Sequence, residues 1–148
     1  PANNKGGDSI LKVTSKSGNN TRAFVRFNLP ATPAGCVLDT ATLRLYAGGY
    51  KENRTIEVLR VDSAWTEGGV TWANQPGASG PVAATGSGSA PGWREWNVAA
   101  QIATMYSSAN NGFLVRDAAE SQDAEQQFHS REKGSDTPQL VLRFKAAP

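Results

Sequence analysis

Strict two-residue alternation, interrupted by Gly, Pro and Asn, constrains this chain more than any other feature. The clearest run is Thr21 to Leu29. Ala23, Val25, Phe27 and Leu29 fall on one side, Arg22, Phe24, Arg26 and Asn28 on the other, and Pro30 closes the run. Side chains repeat every two residues in an extended strand, so such a run offers one face to a core and one to solvent. Ala41 to Ala47 does the same, with Ala41, Leu43, Leu45 and Ala47 set against Thr42, Arg44 and Tyr46 before Gly48-Gly49. Ser9 to Ser15 turns Leu11 and Val13 inward and Lys12 and Thr14 outward. Gln139 to Lys145 turns Leu140, Leu142 and Phe144 inward and Val141, Arg143 and Lys145 outward. Thr55 to Val61 is apolar on both sides, which predicts a strand near the middle of a sandwich. Gly112 to Asp117 reads as a further buried strand.

One helix is predicted from Val98 to Ser107, because Val98, Ile102 and Met105 recur at the helical period and Asn110-Asn111-Gly112 follows. Gln75 to Gly92, dense in Gly, Pro, Ala and Ser, reads as a long loop with one short strand around Pro81 to Ala84. Many short strands and a single short helix point to an all-β fold, an antiparallel β-sandwich of the jelly-roll kind. The 148 residues are expected to form a single domain, 1–148, with no internal boundary or repeat. Its opening at Pro1-Ala2-Asn3-Asn4 reads as a loop, and the chain as a piece of a longer protein.

Composition narrows function by exclusion. The net charge of +2, with no Lys/Arg run, does not point to nucleic acid. No apolar stretch approaches the roughly 20 residues of a membrane span. Cys36 is the only cysteine, which excludes an intrachain disulfide and a cysteine-based zinc site and leaves it as apolar filler. His129, the only histidine, neighbours Ser130 and Glu132. A hydrolytic triad needs more than neighbours, and no nucleophile-elbow glycines accompany them, so no catalytic residue is assigned.

Two groups of polar residues remain. Lys12, Arg22, Arg26, Arg44, Arg143 and Lys145 all point outward in the register above, with Phe24 and Tyr46 among them. Trp93 is the candidate exposed aromatic after the flexible loop, and Trp96 the candidate core residue. Guanidinium groups hold carboxylates by paired hydrogen bonds, and aromatic faces suit sugar C–H surfaces, so one shared basic and aromatic strip would bind a uronic-acid polymer. The plainer alternative is solubilising charge spread over two sheets. The second group is the acidic loop of Asp117, Glu120, Asp123 and Glu125, whose oxygens suit a structural calcium ion although the spacing is not that of an EF-hand. A solvated loop is the alternative there, and Asn3, Asn4 and Asp8 are a further source of ligands. No cofactor is required.

Four stretches, in this order, resemble the DNRLRE domains, also grouped as disaggregatase-related repeats and overlapping a carbohydrate-binding module family. They are Thr21 to Leu29 with Leu38 to Tyr46; Val61 to Glu67 with Val70 to Pro76; Trp96-Asn97-Val98 with Asn111-Gly112; and Ser130-Arg131-Glu132 with Pro138 to Leu142. Trp65-Thr66-Glu67 followed by Val70-Thr71-Trp72 and a proline is the most specific of these. The resemblance implies a jelly roll in secreted or cell-surface proteins, attached to other domains and often beside polysaccharide-degrading enzymes, with some relatives binding alginate. It also implies one more strand before the position of Pro1. Trp65 and Trp72 read better as a plug on the sandwich than as a sugar platform, and Ser130-Arg131-Glu132 as a structural corner. The expected function is therefore a non-catalytic polysaccharide-binding module for acidic glycans. The alternative is a structural or adhesive spacer with no sugar site.

Overall fold

The computed structural model describes residues 10–17, 20–66, 75–120 and 122–148, and within these the alternating runs become nine strands. They are β1 (Ile10–Ser15), β2 (Ala23–Val25), β3 (Cys36–Gly49), β4 (Thr55–Val61), β5 (Ala78–Gly86), β6 (Gly92–Asn97), β7 (Phe113–Asp117), β8 (Ala124–His129) and β9 (Gln139–Ala146). Helix α1 (Ala99–Ser107) joins β6 to β7, and a 3-10 turn (Arg131–Lys133) follows β8. One sheet runs β1-β8-β3-β6 with β9 also paired to β3; the other runs β2-β7-β4-β5. Every pairing is antiparallel. Orders 1-8-3-6 and 2-7-4-5 are those of a jelly roll, as expected. β3 is long because β9 pairs with Cys36 to Arg44 and β8 with Ala47 and Gly49, end to end along one edge, while β6 takes the other.

The alternation decides what lies between the sheets. Leu43, Leu45, Trp96 and Phe128 of the five-stranded sheet meet Val25, Ile56, Val58, Phe113 and Val115 of the four-stranded one. Trp96 is 1% exposed, and its indole donates to the Ile56 carbonyl at 2.9 Å, so the one polar atom on that ring is satisfied across the sandwich. Helix α1 buries Ile102 and Met105 on the same core, and Gln101 donates to the Pro81 carbonyl, tying the helix to β5.

Several expectations are corrected. The run Thr21 to Leu29 is a strand only over Ala23–Val25, because its partner β7 begins at Phe113, opposite Val25. Gly112 turns the partner away at φ +78, and a Cβ there would lie 2.5 Å from the Val25 carbonyl oxygen. Phe27 and Leu29 still pack on the core, and Asn110 donates to the Phe27 carbonyl where a strand would have done so. The short strand expected around Pro81 to Ala84 is present but longer, a nine-residue edge strand, β5 (Ala78–Gly86); a Pro is tolerated there because only one side of the strand pairs. β6 and β8 escape the periodicity because Trp93-Arg94-Glu95 and Glu125-Gln126-Gln127 alternate weakly in hydropathy. The anticipated acidic loop therefore ends early, with Asp117 closing β7 and Glu125 inside β8. Ser9, at the start of the first predicted strand, and the loop residues Asn3, Asn4 and Asp8 lie outside the described residues.

The double-sided character of β4 also finds its cause. Ile56 and Val58 face the main core, whereas Leu59 and Val61, past a bulge between Val58 and Arg60, join Leu114 and Trp65 in a second cluster with Phe24 and Ala78 beside it. The chain after β4 thus returns over the outer face of the four-stranded sheet.

Candidate functional site

The structure divides the expected strip. Lys12 on β1, Arg44 and Tyr46 on β3, Trp93 on β6 and Arg143 on β9 belong to the five-stranded sheet, as does Lys145. Phe24 lies on β2 of the four-stranded sheet, with Arg22 and Arg26 flanking that strand. Alternation assigns each residue to the inside or the outside but not to one of the two outsides, so a single shared face does not form.

On the five-stranded sheet the register places Tyr46 opposite Trp93 and Arg44 opposite both Glu95 and Gln139. Tyr46 meets Trp93 edge-on, with centroids 5.5 Å apart at 86°, and lies 4.8 Å from the His129 ring. Three rings from β6, β3 and β8 thus form a row across the strands. The Arg44 guanidinium stacks 4.4 Å from the Trp93 centroid, donates to Glu95 at 2.7 Å and to Gln139 Oε1 at 2.6 Å. A stacked guanidinium anchored at two points fixes the indole it lies on. Arg94 folds the turn before Trp93 by donating to the carbonyls of Ser87 and Ala90. Two of the cations on this sheet are paired, Arg44 with Glu95 and Lys145 with Asp39 at 3.7 Å.

The four-stranded side is built differently. Trp65 is 8% exposed, with its indole N–H donated to the Asn111 carbonyl, and Phe24 packs 5.4 Å from it. Trp65 is therefore a cover on the sheet, and Phe24 is a half-buried partner under it instead of an open platform. The Arg26 guanidinium lies 5.4 Å from the Trp65 centroid. Arg26, Asn28, Trp65 and Arg131 line an open polar pocket of about 250 Å³. Asn28 has the outward parity of Arg26, a legible signal. Arg131 comes from the 3-10 turn, which Ser130 caps by accepting the Glu132 N–H at 3.1 Å, and no sequence pattern announces that juxtaposition. Glu67, Thr71 and Trp72 of the sequence signature lie outside the described residues.

Two residues of the acidic group, Asp117 and Glu120, are engaged with arginines. Asp117, 2% exposed, accepts from Arg54 Nε at 2.9 Å and Nη2 at 2.5 Å. Glu120 accepts from Arg22 Nη2 at 2.8 Å and Nε at 2.9 Å, and Glu125 accepts from Thr14 at 3.0 Å. Hydrogen bonding to these carboxylates raises the pKa of both Arg22 and Arg54. The donor set anticipated for calcium, Asp117, Glu120 and Asp123, does not fit a cation, since two of its three carboxylates face guanidinium groups. Among the described residues no three His, Cys, Asp or Glu side chains converge on a metal position. Arg22 is likewise held by Glu120 and Gln75, away from the pocket lining. His129 is packed on Tyr46 with Nδ1 at 3.1 Å from the Ser135 carbonyl.

What this arrangement offers is two guanidinium groups beside an indole in the pocket, and stacked aromatics with the Arg44–Glu95 pair on the five-stranded sheet, both suited to saccharides. No helix among the described residues is long and apolar enough to cross a membrane. A comparison with curated proteins gives no match. Residues 1–144 match the family model for carbohydrate-binding module family 96, in agreement with the carbohydrate-binding side of the resemblance noted above. Because that match spans nearly the whole chain, the protein belongs to carbohydrate-binding module family 96.

Proposed function

We propose that this carbohydrate-binding module takes acidic, uronic-acid-containing polysaccharides and leaves them chemically unchanged. The observation that carries the reading is the pocket in which Arg26 and Arg131 converge beside Asn28 over the Trp65 ring. A guanidinium pairs with a carboxylate through two parallel N–H···O bonds, and an amide side chain supplies a donor and an acceptor for neighbouring hydroxyls. The pocket is open, so an internal sugar of a long chain can enter it as well as a chain end. Such a module acts outside the cell, tethered to other domains of a parent protein and holding them on their polymer.

Affinity electrophoresis through gels containing alginate or polygalacturonate tests this. The native chain is expected to be retarded, less so in about 0.5 M salt, where charge attraction is screened. Arg26→Ala and Arg131→Ala should each lose most of the retardation. Unretarded migration of the native chain in both gels would overturn the proposal and favour a structural spacer.

A further inference from the structure

We propose that the outer face of the five-stranded sheet is a second saccharide-binding surface, selective for uncharged pyranose chains, so that the module holds two different polymers at two separate sites. This inference rests on the five-stranded sheet alone and stands whether or not the arginine pocket binds uronates.

Its starting point is a row of rings. Trp93, Tyr46 and His129 stand on three adjacent strands, with centroids 5.5 and 4.8 Å apart. Sheet geometry sets neighbouring strands about 4.8 Å apart, so the rings line up across them, with His129, 9% exposed, backing Tyr46 and with Tyr46 and Trp93 as the accessible pair. Tyr46 and Trp93 are half-buried, and Val141, 40% exposed and paired with Thr42, adds an apolar side chain to the same sheet farther along β3. Pyranose rings present C–H faces that match such a surface, with hydroxyls around the rim that need partners.

Those partners are present as an ion pair and an amide beside the rings. The Arg44 side chain is 27% exposed and that of Glu95 56% exposed, with 2.7 Å between Nε and Oε2. A sugar hydroxyl can accept from Arg44 and donate to Glu95 at the same time, and Gln139 adds an amide. Neither charge loses its partner in that exchange. A uronate here would have to displace Glu95 from Arg44 or lie against a second carboxylate, and like charges in a partly desolvated site are unfavourable. The Arg44–Glu95 pair therefore disfavours a carboxylate beside the Trp93 ring. Arg44 also holds the Trp93 indole by stacking, and Arg94 fixes the turn in front of it, so the platform is ordered before any ligand arrives.

The test uses the whole chain labelled with ¹⁵N, titrated separately with mannohexaose, cellohexaose and an oligouronate hexamer while the indole N–H signals are followed. The Trp93 signal is assigned by its absence in Trp93→Phe. At least one neutral hexaose is expected to move the Trp93 signal saturably. Trp93→Ala should weaken that binding roughly tenfold or more, since ring contact is lost. Trp93→Phe should retain much of it, and Arg26→Ala should leave it unchanged. Glu95→Gln should admit the oligouronate to this face, because Arg44 then lacks a charge partner; it guards against the possibility that Trp93→Ala merely unfolds β6. If neither neutral hexaose moves the Trp93 signal, or if Trp93→Ala binds as the native chain does, the second surface does not exist. Failure of the arginine pocket reads separately, as oligouronate binding indifferent to Arg26→Ala.

Discussion

Replacing Trp65 by alanine separates a ring that holds the fold from a ring that holds a ligand. Trp65 is 8% exposed and covers Leu59, Val61 and Leu114 on the outer face of the four-stranded sheet, with Phe24 beside it. A buried indole removes about 200 Å² from water. At about 25 cal/mol per Å² that is near 5 kcal/mol. Alanine keeps part of this, and the chain over a sheet's outer face can settle into the gap more easily than an interior can. A cost of about 3 kcal/mol, the low end for Trp→Ala in cores, is expected. With a urea slope of about 2 kcal/mol/M, the unfolding midpoint should fall by roughly 1.5 M. Trp65→Phe should cost about 1 kcal/mol, keeping an aromatic ring against Phe24 but losing the donor to the Asn111 carbonyl. Urea unfolding followed by far-ultraviolet circular dichroism measures all three proteins. A midpoint shift below about 0.5 M together with lost glycan retardation would refute the reasoning and make Trp65 a ligand platform.

Gly112→Ala should lower stability by about 3 kcal/mol in thermal denaturation, since it combines strain at φ +78 with a Cβ 2.5 Å from the Val25 carbonyl oxygen; a loss under about 1 kcal/mol would mean the β2–β7 corner opens freely. Tyr106 donates to the Pro30 carbonyl at 2.6 Å, and burial raises its pKa above the ordinary 10.0. The unfolded chain therefore loses this proton first, so the contribution is whole below pH 10.0 and declines as pH rises from there through the folded value. Urea midpoints measured across that range should fall more steeply for the native chain than for Tyr106→Phe, and equal slopes would exclude Tyr106 as the cause. The raised pKa values of Arg22 and Arg54 lie above this window, so both ion pairs persist through it.

Local periodicity and the tertiary arrangement divide the protein between them. The in-and-out assignment of β1, β3, β4 and β9, the buried face of α1, the core placement of Trp96 and the jelly-roll class were all legible, because each follows from which side of a strand or helix is apolar. β6 and β8, and the full length of β5 beyond Pro81 to Ala84, were not legible, because their Gly, Ala, Glu and Gln are held extended by neighbouring strands and carry little preference of their own. The candidate site shows the same division. Arg26, Arg44, Tyr46 and Trp93 were identifiable as outward residues, yet a sandwich has two outsides, and parity along a strand carries no label saying which. Only strand order places Arg44, Tyr46 and Trp93 on one face and Arg26 on the other. Only the return of the chain over the four-stranded sheet turns Phe24 from a platform into a packing partner. Arg131 reaches Arg26 across 105 residues of sequence, and Glu95 reaches Arg44 across 51, so the charges that distinguish the two faces are set by pairings that no local pattern encodes.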